Sequence, residues 1–118
     1  MANPVVHFEV LGKDGPKLQK FFGDLFGWKI NTDNPMSYGI VDTGVEGAIG
    51  GGIGGVPEGQ PGGVVTFYVQ VDDLDVALKR AEQLGGRTVN PPMEVPGGPR
   101  LAHFADPEGN VVGLVTGM

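Results

Sequence analysis

The chain contains no cysteine, which removes disulfides, a thiolate nucleophile and thiolate metal ligands together and leaves the redox compartment unmarked. Basic residues are scarce: 8 Lys and Arg stand against 14 Asp and Glu, for a formal charge of −6. No basic run could neutralise a phosphate backbone, so nucleic acid is not an expected partner. Long apolar runs are missing too. The start, Met1-Ala2-Asn3-Pro4 followed by Val5-Val6-His7, has neither the cationic segment nor the apolar stretch of a signal peptide, and no segment suits a membrane span. The expectation is a cytoplasmic protein without membrane contact. There is also no phosphate loop with Lys and Ser or Thr and no nucleophile elbow around Ser. The run Gly50 to Gly55, broken by Ile53, is followed by no helix and so is not a dinucleotide fingerprint.

What is present suffices for one domain: 118 residues, 40% of them apolar, can bury a core but not two independent ones. Glycine is the outlying number, with 22 residues crowded most densely between Gly44 and Gly63. That concentration is too local for general disorder and asks for a specific backbone reason.

Slid against itself by half its 118 residues, the chain repeats. His7-Phe8-Glu9-Val10 lies over Thr66-Phe67-Tyr68-Val69, Asp14 over Asp73, Leu25 over Leu84, Gly27 over Gly86, Gly50 over Gly109 and Gly54 over Gly113. Each half opens with an alternating strand, Val5 to Leu11 and Val64 to Val71. A helix follows in each. In the first, Pro16 suits an early position and Leu18, Phe21, Phe22 and Leu25 form an apolar stripe ending at Gly27. In the second, Asp73 or Asp75 caps, the stripe runs through Val76, Ala77, Leu78, Ala81 and Leu84, and Gly85-Gly86 stop it. Strands are predicted at Trp28 to Asn31, Tyr38 to Thr43 and about Gly47 to Gly54, then at Arg87 to Val89, Leu101 to Ala105 and Asn110 to Val115. Asp106-Pro107-Glu108-Gly109-Asn110 reads as a turn. Module one therefore covers about 1–56, a Pro- and Gly-rich linker 57–63, and module two about 64–118. One helix covers one face of a sheet, so two βαβββ modules predict an α+β fold whose uncovered faces enclose a small-molecule cavity.

Phe21-Phe22-Gly23-Asp24-Leu25-Phe26-Gly27-Trp28 and Asp106-Pro107-Glu108-Gly109-Asn110 resemble the helix-to-strand signature and the last turn of the vicinal oxygen chelate superfamily, the glyoxalase, bleomycin resistance and extradiol dioxygenase proteins. Val69-Gln70-Val71-Asp72-Asp73-Leu74-Asp75 fits the same pattern, and the phrase from Pro91 to Arg100 resembles a loop of a glyoxalase-like subgroup. The resemblance spans nearly the whole chain. It implies a curved mixed sheet or half-barrel around a cavity, with helices on the outer face. It also implies a range of functions, from glyoxalases, epimerases and ring-cleaving dioxygenases to proteins that sequester drugs, so fold alone does not name the activity.

In metal-dependent members of that family, the first and last strands of each module supply His and Glu ligands. The matching positions here are His7, Thr66, about Gly54, and Gly113, with Gly50 and Gly52 as neighbouring registers of the featureless stretch. Only His7 is a usual ligand, short of the three or more that a catalytic site needs. The expectation is therefore no metal and no other cofactor, with a divalent ion as the runner-up.

His7 and Glu9 share one strand face, and Thr66 and Tyr68 share the equivalent one. A histidine on an early strand is ordinarily a hydrogen-bonded structural residue. The functional alternative is that these four converge on one ligand, with Glu9 favouring a charged His7 fit for acid/base chemistry. His103 has no readable direction, and Met93 is placed in a loop that could close over a ligand. Trp28, Phe26 and Phe22 read as core first. The expected function is binding of a small organic molecule through His7, Glu9, Thr66, Tyr68, Met93 and His103, by a homodimer. The alternative is a lyase, isomerase or dioxygenase-type enzyme using an atypical metal site or acid/base chemistry at His7 and Glu9.

Overall fold

The computed structural model describes residues 2–117. Ten elements follow one another as two βαβββ runs, so the architecture is α+β, as predicted from the repeat. The first run is β1 (Val5–Gly12), α1 (Gly15–Phe26), β2 (Lys29–Asn31), β3 (Gly39–Asp42) and β4 (Gly50–Gly55); the second is β5 (Val64–Gln70), α2 (Leu74–Gln83), β6 (Arg87–Glu94), β7 (Arg100–Ala105) and β8 (Val111–Thr116). The chain forms two compact units. One is residues 7–65, and the other joins the N-terminal residues up to Val6 to those from Thr66 onward. The N-terminal segment belongs with the second unit because it lies along β5: the Gln70 N–H donates to the Pro4 carbonyl at 2.9 Å and the Asn3 side chain donates to the Gln70 carbonyl at 3.1 Å.

In the first unit the strands order as β2-β3-β4-β1, with β1 parallel to β4 and the other pairs antiparallel. The second repeats this as β5-β8-β7-β6, with β5 parallel to β8. Each is an open mixed sheet. Both helices begin where an aspartate caps them: Asp14 accepts from the Lys17 N–H, and Asp73 from the Val76 N–H, each at 3.1 Å. Pro16 sits in the first turn of α1, and Gly27, at φ 71°, ends it in the left-handed conformation that glycine adopts without steric cost. Asp75 and Arg80 complement the two ends of α2.

The second unit has an aliphatic core in which Leu74 and Leu78 of α2 pack on Ala102 and Leu114, flanked by Val69, Val71, Ala77 and Phe104. The first is built on aromatic contacts: Trp28 meets Phe8, Phe22 and Phe26 with ring centroids 5.0–5.9 Å apart. Its predicted α1 stripe is only partly used, since Phe21 and Leu25 remain 57% exposed. Trp28 meets the helix at Phe22 and Phe26, while Phe21 and Leu25 stay at the rim.

One expectation needs correction. Met93 was expected in a loop, yet Pro91, Pro92, Met93 and Glu94 all belong to β6. This strand pairs only with β7 in its unit, and its register shifts between Thr88 and Asn90 and again between Asn90 and Met93. Prolines that cannot donate to a ladder are tolerated at such an edge with bulges. The loop is confined to 95–99. Just before the 57–63 linker, the Val56 N–H donates to the Gly12 carbonyl at 2.9 Å. The turn at 106–110 is as expected: the Asp106 carboxylate accepts from the backbone of Glu108 and Asn110 and from the Asn110 side chain, each at 2.9 Å. Those bonds hold its pKa below the ordinary carboxylate value.

Candidate functional site

Alternation decides what each sheet offers on the face its helix leaves bare. In β1, Phe8 turns to the helix side and meets Trp28, so His7 and Glu9 turn the other way. In β5, Val69 packs toward α2, so Thr66 and Tyr68 share the opposite face. In β7, Ala102 and Phe104 face α2, which puts His103 and Leu101 on the helix-free side. Asn90 pairs with His103 and Met93 with Leu101, so they join the same face. Within the first unit the helix-free face thus carries His7 and Glu9, and within the second Thr66, Tyr68, His103 and Met93.

The first face is organised by a residue the sequence reading missed. Tyr38, one position before β3, lies 2.9 Å from His7 Nε2 and donates its hydroxyl hydrogen to Glu9 at 2.8 Å. Its backbone is clamped: its N–H donates to Asn34 Oδ1 at 2.9 Å, and Asn34 Nδ2 donates to its carbonyl at 2.7 Å. Ser37 before it has φ 52°, left-handed and uncommon outside glycine. Gln19 of α1 ties the turn down by donating to the carbonyls of Ser37 at 3.2 Å and Ile53 at 2.8 Å.

The glycine-rich β4 gives this ring its place. Gly52 pairs with Glu9, and a Cβ on Gly52 would stand 1.7 Å from the Tyr38 hydroxyl oxygen. On the other side of the strand, a Cβ on Gly51 would stand 2.4 Å from the Phe8 ring. The glycines therefore serve close approach on both faces.

In the second unit Tyr68 and His103 make the corresponding pair, with the hydroxyl oxygen 2.7 Å from Nε2. Asn90 Nδ2 stands 3.1 Å from His103 Nδ1, a contact in which the amide donates and the ring nitrogen accepts. The remaining ring proton then sits on Nε2 and is donated to Tyr68. Gly113 pairs with Tyr68, and a Cβ there would stand 2.3 Å from the Tyr68 ring. Thr66 donates to the Val111 carbonyl at 2.7 Å, so its hydroxyl proton serves the sheet itself. Met93 is 43% exposed at the margin of this face.

Burial lowers the pKa of both histidines, because a low-dielectric surround disfavours imidazolium. The expectation that Glu9 favours a charged His7 is therefore corrected: the Tyr38 hydroxyl bridges the two groups, and desolvation prevails. The register also corrects the last-strand match, since Gly52 rather than Gly54 occupies the place equivalent to Gly113.

These residues do not fit the divalent ion of metal-dependent relatives. Tyrosine rings fill the space beside Gly52 and Gly113, His7 Nε2 faces the Tyr38 hydroxyl, and the Thr66 proton goes to a main-chain carbonyl. Among the described residues no group of three or more His, Asp or Glu side chains could hold a metal ion, and no helix is long and apolar enough to cross a membrane.

The chain belongs to the Glyoxalase/Bleomycin resistance protein/Dioxygenase superfamily, whose sequence pattern matches residues 5–114. A 58-residue stretch, 49% of this chain and 21% of the relative, is 43% identical to the anthracycline biosynthesis protein DnrV of Streptomyces peucetius. This chain thus matches about a fifth of that relative's length. Among solved structures, a superfamily member from Vibrio splendidus 12B01 is 18% identical with a TM-score of 0.66, covering 98% of this chain and 100% of that one. The methylmalonyl-CoA epimerase of Mycobacterium tuberculosis is 16% identical with a TM-score of 0.71, covering 97% and 87%. At these identities the two structures support the fold alone.

Proposed function

We propose that this chain binds a small organic molecule against a helix-free sheet face and does so without a divalent metal. The observation that carries the reading is a pair of half-buried His–Tyr hydrogen bonds, His7 with Tyr38 and Tyr68 with His103, each beside a strand position held by glycine. Polar groups set in an apolar surround orient a ligand, while the apolar surface supplies the binding energy. Ile40, on the face of Gly52 by its pairing, is 52% exposed and offers such surface, as does Met93.

The likeness to an anthracycline biosynthesis protein supports planar polycyclic aromatic ketones as the first ligand class. The test is a thermal-shift titration of chelator-treated protein with an anthracycline. A dose-dependent rise in melting temperature supports the reading. No rise until a divalent ion is added replaces it with a metal-dependent one.

A second reading, an acid/base enzyme using His7 and Glu9, is favoured by the Tyr38 bridge between them. It requires that His7→Ala abolish turnover while ligand affinity and folding persist. We further propose a homodimer, supported by the apolar side chains left exposed on α1, Phe21, Leu25 and Phe26, and tested by sedimentation equilibrium.

A further inference from the structure

Three polar groups meet at Tyr38, and counting protons fixes their directions. A glutamate carboxylate near neutral pH only accepts, so the hydroxyl 2.8 Å from Glu9 spends its single hydrogen there. The same oxygen lies 2.9 Å from His7 Nε2 and has only lone pairs left to offer it, so the ring must donate. We infer that Tyr38 is the positioning residue of this face, holding His7 as the Nε2–H tautomer with its lone pair on Nδ1 while holding Glu9 as an oriented carboxylate.

The surrounding structure over-determines that ring. Asn34 brackets its backbone, Ser37 adopts a left-handed turn, Gln19 fastens the turn to α1, and Gly52 withholds the Cβ that would collide with the hydroxyl. A solvated surface tyrosine has no use for all four. The reverse arrangement, with Tyr38 donating to His7, would leave its oxygen facing an ionised carboxylate with no proton between them, which is costly in a half-buried setting.

The inference deepens the ligand-binding proposal by naming what orients His7 and Glu9, yet its test uses unliganded protein and so fails or succeeds separately. Long-range ¹H–¹⁵N correlation of the imidazoles, recorded well above the ordinary histidine pKa of about 6.5, reads the tautomer directly. In the native chain His7 is expected as Nε2–H. Tyr38→Phe keeps the ring but removes the oxygen, and is expected to move the His7 nitrogens toward a mixture of tautomers while those of His103 stay put as the folding control.

Two variants at Glu9 keep the test decisive should Tyr38→Phe fold poorly. Glu9→Gln still offers an accepting oxygen and is expected to retain the Nε2–H form. Glu9→Leu frees the Tyr38 hydrogen to turn toward His7 and is expected to shift the population toward Nδ1–H. A native His7 found as Nδ1–H, or a His7 pattern unmoved by both Tyr38→Phe and Glu9→Leu, overturns the inference.

Discussion

The two units share one topology and one kind of hydrogen bond, but they build it with the partners exchanged. In residues 7–65 the histidine stands on the first strand and the tyrosine just before the third; from Thr66 onward the tyrosine stands on the first strand and the histidine on the third. The attached polar group differs too: a carboxylate, Glu9, on the tyrosine in one unit, and an amide, Asn90, on the histidine in the other. What the repeat preserves is the geometry of a face, including a glycine on the last strand that lets a tyrosine ring lie flat. Residue types at matched positions have changed while the His–Tyr hydrogen bond persists.

The strongest way to break the comparison is through the cores. Leu78, 6% exposed in the aliphatic core, is expected to cost about 3 kcal/mol when changed to Ala. Phe21, 57% exposed, is expected to cost under about 0.5 kcal/mol. Urea denaturation of the two variants checks whether the second unit is the better buried. Next in size is the glycine pair. Gly52→Ala and Gly113→Ala each drive a methyl into a tyrosine ring and are expected to cost about 2 kcal/mol by forcing the side chain aside. Equal losses would support equivalent roles for the two last strands, and a neutral result at Gly52 would remove the account of the glycine-rich strand.

The hydroxyls themselves come third. Tyr38→Phe and Tyr68→Phe each remove one hydrogen bond from a histidine and are expected to cost about 1 kcal/mol in the same denaturation measurement. The loss should be larger at Tyr68, which is only 5% exposed.

The pH dependence is the smallest effect and sharpens the contrast. Both histidines have folded pKa values lowered by burial. The unfolded chain therefore binds more protons just below its own histidine pKa of about 6.5. Their contribution is present above that pH and is lost as pH falls through the lowered folded values. Protonation of His103 also sets two donors against each other at Asn90, whereas imidazolium at His7 keeps its bond to Tyr38. Denaturation midpoints between pH 7 and 5 should consequently flatten more for His103→Gln than for His7→Gln.

Much of the fold was legible because it rests on local chemistry: Asp14 and Asp73 as caps, Gly27 as a stop, the Asp106 turn, and alternation in β1 and β5. Met93 was misplaced because Pro91-Pro92 reads as a breaker unless one knows that β6 pairs on one side only. Tyr38 and Asn90 escaped because neither belongs to a motif. Each matters only through a partner far along the chain, and such pairings emerge from strand register rather than spacing. A visible clue existed in Gly50-Gly51-Gly52, since a strand without side chains implies that something large rests upon it. The direction of His103 was unreadable for the same reason: its parity is set by pairing with β8, which places it opposite Gly113.

The most direct measurement is a titration of chelator-treated protein with an anthracycline, following the imidazole ¹⁵N signals of His7 and His103. Saturable shifts at either histidine, obtained with no added metal, are the predicted outcome. Signals that stay fixed through the whole titration, and move only once a divalent ion is supplied, would contradict it.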